Sequence, residues 1–437
     1  MDEENFDEIY QRLTYIQRKV IPFLLQGLSY KEIAAKLNIT DPNTITKRVS
    51  SIRQLFNASD KKDLIYIFNK FRPEWVTDEG RKHAGIAISP ITPEIVYPES
   101  SEAIDSPFYV LREKIDIKCQ NIIDESGCLL KIKAPKQMGK TSLINRLFDY
   151  AIQKENYVAS CDFSDVFVDS NNTDKFFYNL SACIAREISN YTERDLNLSS
   201  WNQANASPGE CTRFLKKVLK ALDKPLVLIF DDTDRIFQYE SVYQCFAPIL
   251  RSWHENGRRP SHGGSSDWKK LKIVLSHSTE EYVELNIDRS PFGNVGITIE
   301  LEDLTHTEIF ELADRHNIND ERFITSLMNL VGGHPYLIRL AFYYLSQEDL
   351  SPKKILEEAA TDSGIYREHL KRHLARLQKN SALEEALKRI LISKQPISIR
   401  EQKIKHQLEG IGLITLQRNS ATVRYELYRK YFTDYLL

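Results

Sequence analysis

Long apolar runs are missing from this chain of 437 residues. No stretch approaches the eighteen or so apolar residues that a membrane-spanning helix needs. The start, Met1-Asp2-Glu3-Glu4, is acidic and lacks the basic and apolar segments of a secretory leader, so the expected location is the cytoplasm, with no membrane partner. Cysteine is sparse and scattered: the six residues at 119, 128, 161, 183, 211 and 245 form no C-x-x-C. They read as reduced core thiols, which argues against a disulfide framework or a zinc site. Charge of one sign is missing too, since the formal net charge is -2 and gives no global reason to bind nucleic acid. Repeats of solenoid length are absent.

What is present begins at Leu129-Leu130-Lys131-Ile132-Lys133-Ala134-Pro135-Lys136-Gln137-Met138-Gly139-Lys140-Thr141-Ser142, followed by the helical run Leu143 to Phe148. A strand, a tight loop ending in Gly-Lys-Thr and a helix make a phosphate cradle. The loop turns its backbone N–H groups inward and the helix dipole favours anions. Residues Pro135, Lys136, Gln137, Met138, Gly139, Lys140, Thr141 and Ser142 are the expected nucleotide-binding set. Lys140 is expected to reach the β- and γ-phosphates of ATP or ADP, and the Thr141 hydroxyl to ligate Mg2+. Ala134 stands where the first glycine of G-x-x-x-x-G-K-[ST] usually falls, and its Cβ restricts the backbone to negative φ. Gly-Lys-[Ser/Thr] alone occurs by chance in roughly one chain of this length in five, so a second motif is needed.

That second motif is Pro225-Leu226-Val227-Leu228-Ile229-Phe230-Asp231-Asp232-Thr233-Asp234, a buried parallel strand with carboxylates at its end. Asp231 is expected to hold Mg2+ directly or through water, and Asp232 to orient or deprotonate an attacking water. Asp232 is one methylene shorter than the glutamate more usual there, so slow catalysis is expected. Asp234 reads as the N-cap of a helix beginning at Arg235.

Along the chain, residues 9 to 72 are helical and basic, with twelve basic residues against four acidic ones. Residues 73–104 read as a linker broken by prolines and by Gly80 and Gly85. Strands and helices then alternate over 105–304, the pattern of a parallel sheet with crossover helices. Within that span the glycine-rich stretch Asn256 to Asp267 reads as a mobile loop tolerant of change. Residues 305–379 are helical, and 380–437 add helices around a short hairpin, Gly412 to Tyr425. The expected class is α/β: a P-loop core with an amino-terminal helical domain, a helical lid and a C-terminal winged helix.

The segment Leu13-Thr14 through Phe68 resembles the helix-turn-helix output domain of LuxR-type regulators, in its vWA-MoxR-associated form. Its carriers are Gly27-Leu28-Ser29-Tyr30-Lys31-Glu32-Ile33-Ala34, Leu37-Asn38-Ile39-Thr40 and Thr44-Ile45-Thr46-Lys47-Arg48-Val49. Ser29 and Glu32 read as a capping box, and Thr40 or Asp41 as the next cap, with Pro42 in its first turn. The resemblance implies that Asn43, Thr46 and Lys47 meet base edges of duplex DNA while Arg48 and Arg53 meet phosphates. The same basic face could instead be solvated or dock a protein.

From residue 105 onward the chain resembles the AAA-like, STAND-related ATPases of bacterial, notably cyanobacterial, signalling proteins. The carriers are Ser106-Pro107-Phe108-Tyr109-Val110-Leu111-Arg112-Glu113, the phosphate loop, Asp231 to Arg235, His277-Ser278-Thr279-Glu280, Ser290-Pro291-Phe292, Gly332-Gly333-His334-Pro335-Tyr336-Leu337 and Glu426 to Phe432. The resemblance implies that lid and winged helix close over ATP or ADP. It implies that Tyr109, Val110 and Arg112 frame the adenine, with Leu111 in place of a common glycine, and that the turn at Pro335 packs on the base. Pro335 also has a structural reason to start a helix. Ser276, His277 and Ser278 read either as a γ-phosphate sensor or as a satisfied strand end. Arginines 235, 289, 315 and 339 are candidates for an arginine finger.

Two functions follow. One is a nucleotide-controlled switch acting on transcription, signalling or defence through homo-oligomerisation or a signalling partner protein, reset by slow hydrolysis. The other is an adaptor whose amino-terminal unit binds proteins and whose nucleotide is structural. A metabolic phosphotransferase lacks an acceptor site.

Overall fold

The structure is a computed structural model describing the chain except residues 1–2, 38, 40, 87–94, 100, 103–105, 167–171, 190–206, 259–265, 280–294 and 394. Asn38, Thr40, Glu280, Arg289 and Ser290-Pro291-Phe292, all singled out above, lie outside the described residues, as does most of the glycine-rich stretch before Asp267. The chain divides into two compact units, Met1–Glu94 and Ile95–Leu437.

The first unit is helical: α1 (Glu3–Gln11), α2 (Tyr15–Leu25), α3 (Tyr30–Lys36), α4 (Pro42–Leu55), α5 (Lys61–Phe71) and α6 (Asp78–Ala84). Helix starts follow the capping chemistry. Ser29 Oγ and Glu32 exchange hydrogen bonds with each other's backbone in a capping box, and Asp41 accepts from Asn43 N ahead of Pro42. In α4 the apolar period buries Ile45, Val49 and Ile52, and Asn43, Thr46 and Lys47 are thereby turned to solvent. Phe6 anchors the core, its ring 5.3, 5.1 and 5.2 Å from Phe56, Phe68 and Phe71. This corrects the expected linker. Residues 73–84 belong to the helical unit, because α6 lies against the end of α2 so closely that a Cβ on Gly80 would stand 1.8 Å from Leu25 O. Gly80 reads as a breaker in sequence and serves as a contact point in space.

In the second unit, α7 (Glu113–Asp124) leads into β1 (Leu129–Ala134), α8 (Lys140–Gln153) and β2 (Tyr157–Asp162). Then come α9 (Thr173–Ser189), α10 (Pro208–Ala221), β3 (Leu226–Asp231), α11 (Glu240–Arg258), β4 (Leu271–Ser278) and β5 (Ile297–Glu300). All pairings are parallel, in the order β2-β3-β4-β1-β5. The side-chain period of two explains both buried layers. Leu226, Leu228 and Phe230 of β3 face the core with α9, α10 and α11, and Val227 and Ile229 face the core with α7 and α8. Strand β3 is buried at every residue, as its unbroken apolar run requires.

Beyond the sheet come α12 (His306–Arg315), α13 (Glu321–Val331), α14 (Pro335–Ser346), α15 (Pro352–Glu358), α16 (Arg367–Gln378) and α17 (Ser381–Ile392). They are followed by β6 (Ile397–Ser398), α18 (Gln402–Gly410), β7 (Ile414–Gln417), β8 (Ser420–Val423) and α19 (Glu426–Leu436). Strands β7 and β8 form the expected hairpin, and β6 joins them in an antiparallel sheet ordered β6-β8-β7. Residues 304 to 432 share one hydrophobic core that also takes in Phe108 and Val110. No helix among the described residues is long and apolar enough to cross a membrane.

Candidate functional site

In a parallel sheet every carboxyl end lies on one edge. The ends of β1 and β3 therefore share that edge, separated only by β4, a lateral gap of about 10 Å. The segment after β1 turns through two residues of positive φ, Gln137 at 64° and Gly139 at 88°, and α8 starts at once with Lys140. Lys140 is buried, and its Nζ lies 3.2 Å from Ala134 O and 3.0 Å from Pro135 O, curled over its own loop. Ala134 needs no glycine conformation, because it is the last residue of β1.

At the tip of β3, Asp231 is buried and accepts from Ser276 Oγ and from Asp232 N at 2.9 Å. Asp232 is itself left-handed, φ 51°, and burial followed by its neighbours Asp231, Asp234 and Asp162 raises its pKa above the ordinary carboxylate range. Asp234 is not the cap expected of it. The following segment is a 3-10 turn, Thr233–Gln238, and Asp234 Oδ1 instead accepts from Ser278 N at 3.0 Å. Thr233 Oγ1 donates to Ser276 O at 2.5 Å, so β3 and β4 are stitched together at this edge. Ser276 and Ser278 are thus satisfied strand-end groups. Beside them, burial pushes the His277 imidazole down to about 4.

One cavity of about 360 Å³ joins these parts, within the size range of small-molecule sites. Lys136, Gln137, Gly139, Lys140, Thr141, Ser142 and Asp232 line one part of it. Phe108, Tyr109, Val110, Arg112, Leu304, Leu312, Pro335 and Tyr336 line the apolar remainder. Pro135, Met138 and Asp231 stand behind this lining, although Pro135 and Met138 belong to the same loop. Thr141 and Asp231 offer only oxygen donors, a hydroxyl and a carboxylate. That set suits a hard cation such as Mg2+ completed by phosphate and water. No cluster of three His, Cys, Asp or Glu capable of holding a metal exists among the described residues.

Several of the expected residues that line the cavity commit polar atoms elsewhere. Arg112 donates to Met138 O at 2.9 Å and to Glu302 O at 3.2 Å, and so fixes the phosphate loop from behind. Tyr109 spends its hydroxyl on Asp116, 2.8 Å away. Ser142 Oγ accepts from Glu102 N at 3.0 Å, and Gln137 Oε1 accepts from Arg372 and His369 of α16 at 2.5 and 2.8 Å. Among the finger candidates, Arg315 holds Pro107 O and Tyr109 O, Arg235 is exposed after Asp232, and Arg339 lies over the Phe108 ring at 4.1 Å with Nη2 on Val96 O.

Sequence reasoning missed residues 95–99 and 101–102. Assigned to the linker, they supply Pro98, Glu99, Ser101 and Glu102 to the cavity wall. Glu102 ion-pairs with Arg339 Nε at 3.4 Å. Their only signal was a charged, proline-containing stretch, which looks like any solvated linker.

In the other unit, Asn43, Thr46 and Lys47 share the exposed face of α4, while Arg48 and Arg53 are half-buried. Part of the basic excess is structural. Lys61 ties down the turn between α2 and α3 through Gly27 O and Leu28 O at 2.9 and 2.6 Å, and Arg72 pairs with Asp7 at 2.6 Å.

Residues 97–434 match the family described as AAA-like domain. Among curated proteins none matches the chain. Among solved structures, a Walker-type ATPase of Pyrococcus abyssi is similar at a TM-score of 0.56 and 14% identity, over 77% of this chain and 99% of that one. The Aeropyrum pernix ORC2 protein in its ADPNP-ADP complexes gives 0.43 and 14%, over 78% and 95%. AMPPCP-bound DnaA from Aquifex aeolicus gives 0.35 and 13%, over 71% and 80%. At these identities the first likeness speaks for a common fold, and the two lower scores carry no argument.

Proposed function

The chain belongs to the AAA-like domain family, and from that premise we propose that it is a STAND-type switch that binds ATP or ADP with Mg2+ and is coupled to an amino-terminal helix-turn-helix. The observation that carries this reading is the single cavity shared by three segments far apart in sequence: the loop before Thr141, the tip after Phe230 and the start of α14 at Pro335. The roles follow from position. Lys140 and the loop N–H groups hold the phosphates, with Thr141 and Asp231 as the metal's protein ligands. The apolar wall of Val110, Leu304, Leu312 and Pro335 takes the base. Mg2+, when bound, neutralises phosphate charge. Asp232 accepts a proton from the attacking water: its raised pKa makes it the stronger base, while its short side chain favours slow turnover.

Residues 380–437 act in this proposal as a winged helix and 305–379 as a lid. Their common hydrophobic core supports movement as one body. Shifting such a switch from one per cent active to ninety-nine requires about 5.5 kcal/mol of differential binding, which a triphosphate touching both core and lid can supply. The output is DNA binding by α4 through Asn43, Thr46 and Lys47, with Arg48 and Arg53 on phosphates. The alternative, an adaptor with a structural nucleotide, draws support from Lys61 and Arg72, whose charges are spent inside their own unit.

Two measurements decide. Calorimetry of the full chain with ATP and ADP should show binding that Lys140→Ala reduces at least about a hundredfold with the far-UV spectrum unchanged; equal affinity would remove the site assignment. Duplex DNA binding by the full chain should weaken with salt at a log-log slope near about -5 for six neutralised phosphates. Salt-independent or absent binding favours the adaptor.

A further inference from the structure

Two thiols and a cation come together away from the cavity. Cys161 is next to last in β2, Cys183 lies on α9, and both belong to the hydrophobic core between that strand and that helix. Their sulfurs are in hydrogen-bond contact. The Cys183 thiol also donates to Ser160 O at 3.9 Å, and its Sγ accepts from Arg186 Nη2 at 3.8 Å. Arg186 gives its Nε to Glu187 Oε1 at 3.3 Å, so it reaches the carboxylate and the sulfur with different nitrogens.

The two thiols are not equivalent. The Cys183 S–H is directed at Ser160 O, which makes Cys161 the donor between the sulfurs. Burial, and then that hydrogen bond, pushes the Cys161 thiol well above the ordinary range and keeps it protonated. Negative charge therefore settles on Cys183, where a guanidinium and an S–H both aim donors, and that charge in turn pushes Arg186 up. A cation beside sulfur favours the thiolate, which is the nucleophilic form. Access follows the same order: Cys161 is sealed, Cys183 is 7% exposed, and the Arg186 side chain beside it is 67% exposed. Cys119, Cys128 and Cys211 lie deeper than Cys183, and burial pushes their thiols up to about 12, 11 and 12.

We propose that Cys183 and Cys161 are a peroxide-oxidisable pair, in which Cys183 reacts first, assisted by Arg186, and Cys161 closes the disulfide. The Cys183 thiol gives its proton to water, and the thiolate attacks one oxygen of hydrogen peroxide. The S–O bond forms, the O–O bond breaks, and the departing hydroxide takes up a proton to become water. Sulfur is oxidised by two electrons and the peroxide is reduced. Cys161 sulfur then attacks the Cys183 sulfenic acid: the S–S bond forms, the S–O bond breaks, and the leaving hydroxide departs with the Cys161 proton as a second water. Sulfurs already in contact close by about 2 Å to reach the covalent distance. The link ties α9 to β2, whose last residue, Asp162, lies opposite Asp231. Neither cysteine lines the cavity, so this chemistry stands apart from the nucleotide reading.

The test exposes the reduced full chain to a small excess of hydrogen peroxide, then blocks free thiols and reads intact mass and a non-reducing peptide map. The parent should lose two hydrogens, yield a single link between Cys161 and Cys183, and return to its starting mass in dithiothreitol. Cys161→Ser should stop at a Cys183 sulfenic acid that dimedone captures, and Arg186→Ala should oxidise about tenfold more slowly than the parent. A parent that stays reduced until urea unfolds it overturns the proposal, as does a link between other cysteines or first oxidation at the more exposed Cys245. An Arg186→Ala chain that reacts as fast as the parent overturns it too. Should a substitution impair folding, the parent's own map still decides, because it needs none.

Discussion

Gly333→Ala tests the packing that brings α14 to the cavity. A Cβ at this position would stand 2.1 Å from Leu304 O, 2.8 Å from Leu304 N and 3.0 Å from Asp303 Cβ. Non-bonded carbon contacts settle at about 3.5 Å, so the turn must withdraw by more than an ångström. Withdrawal also stretches the Leu304 N–H bond to Gly333 O, now 2.7 Å. Overpacking of this kind costs about 1–3 kcal/mol, and the lost hydrogen bond about 1 more. Together, about 2–4 kcal/mol corresponds in a unit of this size to a fall in melting temperature of roughly 4–8 °C. Because Pro335 and Tyr336 follow directly and line the cavity, nucleotide affinity should fall alongside stability. The control is Gly209→Ala, in the first turn of α10, where the nearest atom is Ser207 Oγ at 3.9 Å. That change should be neutral or stabilise by up to about 1 kcal/mol. Calorimetric melting and urea unfolding measure both. A Gly333→Ala protein within about 0.5 kcal/mol of the parent would refute the close-approach argument.

Acid should destabilise the second unit early. Burial pushes His277 down to about 4 and His316 and His373 to about 3, and holds His334 and His369 far below the ordinary value. These rings stay neutral when folded and protonate when unfolded, so stability is full above about pH 6.5 and falls as pH drops from there toward 4, by up to about 1.4 kcal/mol per pH unit for each histidine. Urea midpoints at pH 7.5 and 5.5 should differ clearly, and equal midpoints contradict the buried neutral rings. ATP hydrolysis, followed by phosphate release, should rise with pH through the raised pKa of Asp232, and Asp232→Asn should slow it about a hundredfold or more and flatten that limb. A limb that survives the substitution assigns the base elsewhere.

Local chemistry wrote the phosphate loop, the acidic strand tip, the capped helices of the first unit and the β7–β8 hairpin plainly into the sequence. Each depends on neighbours within a few residues: a left-handed glycine before Lys140, five apolar residues before Asp231, a serine three positions ahead of Glu32. Asp234 misled because an acid ahead of a short helix looks like a cap, whereas its partner, Ser278 N, arrives from another strand.

Position along the chain could not reveal which distant groups meet. Whether Ser101 and Glu102 were tether or cavity wall depended on Arg339, Ser142 and Asn145, two of them in a helix that begins some forty positions later and one far beyond. Gln137 was foreseen as a loop residue, but its occupation by His369 and Arg372 required α16 to fold back onto β1's carboxyl end. Hydrophobic period and turn chemistry act over one or two turns of chain, so the sequence by itself determined the elements and the cradle. Burial of the shared core from 304 to 432 brought remote side chains against the cradle, and that packing is a property of the tertiary structure alone.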